Sequence, residues 1–155
     1  MRRRLQMDNA QIVRFRVYPE SVHGFYFDVE VYPTQKQMQK RAERLKPHLH
    51  GGFMDTDAAV LGFSKGYVGA DGRCVWSKTL GTIVFHRERL GVNVISHECT
   101  HAALRWMEAM KFNVTDRGEN YVEGEASDNE ERFCYALGRM TAAIGDQFWK
   151  YDLWQ

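Results

Sequence analysis

Between Asn93 and Met110 the apolar residues Ile95, Cys99, Ala102, Trp106 and Met110 recur at steps of three and four, the spacing that lays one stripe along an α-helix. A helix with a single apolar stripe must bury it against another layer, so this segment constrains the fold more than any other. His97, Glu98 and His101 form a His-Glu-x-x-His pattern within the segment, with the two histidines on the side away from the stripe.

The layer for that stripe comes from the N-terminal half. Alternation in "IVRFRVY" (12–18) and "GFYFDVEVY" (24–32) predicts two strands joined as a hairpin around Pro19 to Gly24. After Pro33, Thr34 is positioned as the N-cap of a helix that ends before Pro47 and carries Met38, Ala42 and Leu45 on one stripe. The stretches 58–68 and 72–88 are rich in β-branched and aromatic residues, punctuated by glycine, and predict two or three further strands. A second core helix follows the motif, with Phe133, Leu137, Met140, Ile144 and Phe148 at helical spacing, and Ser127 with Glu130 forms the capping box that starts it. The loop 111–126 between the two helices is longer than the connection requires and carries Gly118 and Gly124, so it is expected to be a mobile flank of the cleft. The expected class is α+β: a small twisted, mostly antiparallel sheet packed against the motif helix and the helix after it.

A chain of 155 residues suits one domain, 1–155, and no repeat or Pro/Gly/Ser linker divides it. Lys and Arg number 21 against 20 for Asp and Glu, a balance that argues against a dedicated nucleic-acid or acidic-membrane binder. The three arginines of "MRRRLQ" are read as part of a flexible basic start, residues 1–11. Cys74, Cys99 and Cys134 fit neither a disulfide framework nor a zinc ribbon. With no signal-peptide core and no apolar run of membrane-spanning length, a cytoplasmic protein is expected.

Residues four apart on a helix differ by about 40° in direction, so the imidazoles of His97 and His101 can reach one ion. Glu98 is turned about 100° from His97, beside such an ion rather than on it, where a carboxylate can take a proton from a bound water. Zinc brings the pKa of that water toward about 7 and polarises a carbonyl, completing a hydrolytic set. Chance places such a pattern in a chain of this composition about 1–2% of the time. The helical setting and the face it occupies favour a zinc site over two surface histidines.

Catalytic zinc takes a third protein ligand, and the last helix offers Glu130 and Glu131. If Glu130 is held by the Ser127 cap, Glu131 is free, and Cys134 and Gly138 on its side leave room for close approach to the motif helix. Glu131 is therefore favoured, with Glu130 the alternative. Cys99 points about 200° from His97 and is expected in the core.

With His97, Glu98, His101 and a glutamate near 131, the chain resembles the zincin metallopeptidases in their gluzincin form. There the third ligand often opens an E-x-x-A pattern, to which "ERFC" from Glu131 to Cys134 is similar. The compact layout also resembles ImmA/IrrE-type and small phage-encoded metallopeptidases over roughly residues 58–150. The Asp that often follows the E-x-x-A pattern is here Tyr135, so the outer partner of a zinc histidine is unassigned. The resemblance implies a zinc peptidase with one Zn²⁺ per chain, His97, His101 and Glu131 as ligands and Glu98 as general base.

It also implies that the strand before the motif helix, residues 81–88, is an edge that pairs with an extended peptide substrate. Tyr121 and His86 are candidate oxyanion donors, and His48 and His50 are a weaker candidate metal pair. Two other readings stay open: a peptide-binding regulator with this fold and no turnover, and a zinc amidohydrolase acting on a non-protein amide.

Overall fold

The computed structural model describes residues 10–20, 24–45, 57–61, 66–68, 70–116, 122–123 and 125–154. Among these residues six strands and three α-helices follow in the order β1 (Val13–Val17), β2 (Tyr26–Tyr32), α1 (Gln35–Leu45), β3 (Ala58–Leu61), β4 (Gly66–Val68), β5 (Cys74–Trp76), β6 (Thr79–His86), α2 (Val92–Met110) and α3 (Asp128–Lys150). The class is α+β, with a four-stranded mixed sheet in the order β1-β2-β6-β3 and a separate β4-β5 ribbon.

The expected hairpin is present: β1 and β2 pair antiparallel, Val13 opposite Val31 and Val17 opposite Phe27. β2 runs parallel to β6, and β6 pairs antiparallel with β3 on its other side. The expectation that residues 81–88 form an edge is therefore corrected, because β6 is bonded on both sides and, among the described residues, β1 and β3 are the edges. The physical reason is legible in β6 itself. Leu80, Ile83, Val84 and Phe85 are all buried, a nearly unbroken apolar run that suits a strand covered on both faces.

Alternation along the strands divides the core in two. Phe27, Val29 and Val31 of β2, with Ile83 and Phe85 of β6, face α2 and α3, which answer with Ile95, Cys99, Ala102, Trp106, Met140, Ile144 and Phe148. On the opposite face Tyr32, Leu61 and Val84 pack on Met38 and Ala42 of α1. Thr34 caps α1 as expected, its Oγ1 accepting from Gln37 N at 3.3 Å. The aromatic C-terminal segment also joins the core: Leu153 N–H donates to the Phe148 carbonyl at 2.8 Å, and Trp154 Nε1 donates to the Gly145 carbonyl at 3.3 Å. At the other end Arg87 donates to the Gln11 carbonyl at 2.7 Å, so residue 11 is tied to the fold rather than part of a free basic start. None of the described helices is long and apolar enough to cross a membrane.

The α1 face buries one carboxylate. Glu30 accepts from Arg41 Nε at 2.9 Å and from the Tyr32 hydroxyl at 2.6 Å, with Arg14 Nε 3.6 Å away. Burial opposes its ionisation, but the Arg41 and Tyr32 hydrogen bonds and the charges of Arg41 and Arg14 outweigh it and hold the carboxyl below the usual glutamate range. A depressed folded-state pKa means stability that is complete above the ordinary glutamate value and lost as pH falls through the lower one. In acid titrations followed by urea unfolding, Glu30→Gln is expected to flatten the loss of stability below about pH 4. An unchanged acid limb would show that this carboxylate carries none of that dependence.

Candidate metal centre and cleft

α2 presents its motif to the open side of the molecule. Ile95, Cys99, Ala102, Ala103 and Trp106 are buried, and the phase that buries them leaves His97 and His101 exposed. The two Nε2 atoms lie 3.2 Å apart, with the rings edge to face at 4.8 Å between centroids. Two nitrogens each 2.0–2.1 Å from a tetrahedral ion would be about 3.3 Å apart. The spacing of the two nitrogens therefore suits a zinc-sized ion, and imidazole nitrogens are ligands that zinc accepts.

Glu98 differs from its neighbours. It is only 5% exposed, and its carboxylate turns under His97 toward β3, with Oε1 3.9 Å from His97 Nε2. Among the described residues β3 pairs only with β6, and the Val60 N–H on its other side donates to the Glu98 carboxylate. Burial raises the Glu98 pKa, opposed by the positive field of His97 and the Val60 hydrogen bond. A carboxylate with a raised pKa is a stronger base once ionised, the property a proton acceptor at this position needs. Cys99 is fully buried on the far side, where burial pushes its thiol up to about 11, so it is a core residue and not a ligand.

These side chains floor a cleft of about 460 Å³, walled by Ala58–Leu61 of β3 on one side and by Leu104, Arg105 and Glu108 of α2 on the other. A second depression of about 410 Å³ continues it at the start of α2, lined by Asp57, Ala58, Asn93, Val94, His97 and Glu98. Ala58, His97 and Glu98 belong to both, so the motif sits at the junction of two lobes. Sequence reasoning missed Asp57, Val60 and Arg105. No local pattern marks Asp57 and Val60, whose position depends on β3 lying beside α2.

α3 opens with the expected capping box: Glu130 N donates to Ser127 Oγ at 3.2 Å, and Ser127 N donates to Glu130 Oε2 at 2.7 Å. Glu130 is thus engaged, and Glu131 is exposed on the next position. The close helix approach expected beside Glu131 is not observed, because Cys134 and Gly138 are exposed and a Cβ on Gly138 would meet nothing within 4 Å. The side of α3 that packs inward carries Ala136, Met140, Ile144 and Phe148 instead. Among the described residues no group of three His, Cys, Asp or Glu side chains converges in a form that could hold a metal.

His86 is 1% exposed, between Asp57 and Glu88, rather than a substrate contact on an edge strand. Tyr121, His48 and His50 lie outside the described residues, as do 117–121 and 124 of the loop. The start of that loop is held to α3, since Asn129 Nδ2 donates to the carbonyls of Asn113 and Asp116 and Arg132 stacks on Phe112 at 4.5 Å. No protein-family model, no curated protein and no solved structure matches the chain.

Proposed function

We propose that this chain is a zinc-dependent peptidase, with His97 and His101 as ligands and Glu98 as general base; Glu131 as third ligand rests on the zincin resemblance alone, because among the described residues no third donor converges on the pair. The observation that carries the reading is the convergence of the two Nε2 atoms at 3.2 Å over a buried glutamate in the floor of a cleft. Its resemblance to the zincins through His97, Glu98 and His101 supports the same chemistry. Zinc, when bound, acidifies a water and polarises the carbonyl of the scissile amide.

The chain's own residues do the rest. β3 offers along one wall a strand edge with no partner among the described residues, to which an extended peptide would add as a further strand. Glu98, held by Val60 N–H beneath His97, removes the proton of the attacking water and returns it to the leaving amine. The burial of Glu98 keeps bulk water from competing for that proton.

Metal analysis of the protein purified without chelator, combined with cleavage of unfolded protein substrates, tests this reading. About one zinc per chain and chelator-sensitive cleavage are expected. A metal-free preparation that regains neither zinc nor cleavage on adding the metal would sink it, and zinc without cleavage would favour a binding role.

The third ligand has its own test. Glu131→Ala is expected to weaken zinc binding strongly. Glu130→Ala should instead cost about 0.5–2 kcal/mol of stability, as lost helix caps do, and leave the metal in place. Equilibrium dialysis against zinc and urea unfolding of both variants separate the two, and the reverse pattern would assign the ligand role to Glu130.

A further inference from the structure

We propose that the lobe at the start of α2 is a subsite for a positively charged group of the bound peptide, with Asp57 as the residue that recognises it. The proposal rests on reading the cleft as a peptide site and adds to it the charge of one substrate position.

Among the described residues the lobe is lined by Asp57, Ala58, Asn93, Val94, His97 and Glu98, so its lining carries two carboxyl groups, with the Arg89 guanidinium beside that of Asp57. The other lobe has Arg105 with Glu108.

Asp57 is one-third exposed, open to a ligand from the cleft and backed by protein. Its Oδ1 lies 3.6 Å from His86 Nε2 and its Oδ2 lies 3.7 Å from an Arg89 guanidinium nitrogen. Both distances exceed hydrogen-bond length, so a closer donor can be accommodated. The Arg89 side chain is 74% exposed, a surface cation that a ligand ammonium can displace.

A second, independent observation points to the same carboxylate. The His86 side chain is 2% exposed, and neither ring nitrogen has a hydrogen-bond partner among the described residues. Its Nε2 is turned to Asp57 and its Nδ1 to Glu88, each 3.6 Å away. Glu88 in turn accepts from Gln35 N at the start of α1 at 2.9 Å. A buried imidazole without a hydrogen-bond partner among the described residues thus lies against Asp57, while that carboxylate lines the cleft. His86 is on this account a positioning residue, and Asp57 makes the contact.

An ammonium could come from a lysine side chain or from a peptide N-terminus. Three probes distinguish them by amide chemical-shift titration of the full chain: N-acetyl-lysine methylamide, its uncharged norleucine counterpart, and alanyl-alanine amide with a free amine. At least one ammonium probe is expected to shift the amides of Ala58, Asn93 and Val94 and to bind about fivefold more tightly than the norleucine probe. The tighter of the two identifies side chain or terminus. Asp57→Asn should abolish the preference. Arg89→Ala should strengthen ammonium binding by removing the internal competitor, an effect that a purely structural Asp57 would not produce. Equal affinity for charged and uncharged probes, shifts confined elsewhere, or Arg89→Ala with no gain would each overturn the subsite. Binding is read without turnover, so intact ammonium recognition in a chain that cleaves nothing would defeat the peptidase reading and leave the subsite standing.

Discussion

Glu98→Gln is expected to lower turnover by about 10²–10⁴-fold while zinc stays bound, and His97→Ala or His101→Ala to lose the metal itself. The two phenotypes separate because the residues do different things. The histidine Nε2 atoms are exposed and converge on one point, whereas Glu98 is buried beside them and spends its carboxylate on the Val60 N–H. Glutamine keeps the shape of the glutamate and can still accept that N–H, so the floor of the cleft should persist. What it cannot do is accept a proton from water. Zinc content and initial rates on a substrate cleaved by the wild type are the measurements, and full activity in Glu98→Gln would rule out the proton transfer assigned to it.

The largest loss of stability is expected for Phe148→Ala, at about 3–5 kcal/mol. Phe148 is fully buried where three parts of the chain meet. Its ring packs edge to face on Phe85 of β6 at 5.5 Å and on Phe15 of β1 at 6.4 Å, and stands 5.7 Å from Trp154 of the C-terminal segment. Removing the ring takes away its own buried area and leaves a cavity that a sheet and two rigid aromatic neighbours close poorly. A loss of this size is a large share of the stability of a typical domain. Urea unfolding at 25 °C measures it, and a change below about 1 kcal/mol would mean that the cavity collapses and that this junction is not the centre of the core.

The contrast between Glu98 and Glu131 shows where sequence reading reached its limit. The phase of α2 follows from its own apolar residues, so the separation of His97 and His101 from Ile95 and Trp106 was legible in the chain. Whether a glutamate on a different helix reaches those histidines depends on how α3 is rotated. By residue size alone, Cys134 and Gly138 mark a close-contact face beside Glu131. The helix instead turns Ala136 and Met140 inward, because Phe148 and Ile144 must meet the sheet and carry the whole rigid helix with them.

By itself, then, the sequence determined the features governed by neighbours within a turn or two. These are the β1-β2 hairpin, the Thr34 cap, the Ser127-Glu130 capping box, the exposed histidine pair and the burial of Cys99. Each rests on a periodicity or a hydrogen bond between residues close in the chain. Only the tertiary structure decided that β6 is interior and β3 is an edge, that Val60 reaches Glu98, and that Asp57 joins His97 in one lobe of the cleft. Those relations join residues far apart in sequence, and they are set by which strand covers which face of the sheet, a choice made by the packing of the whole core.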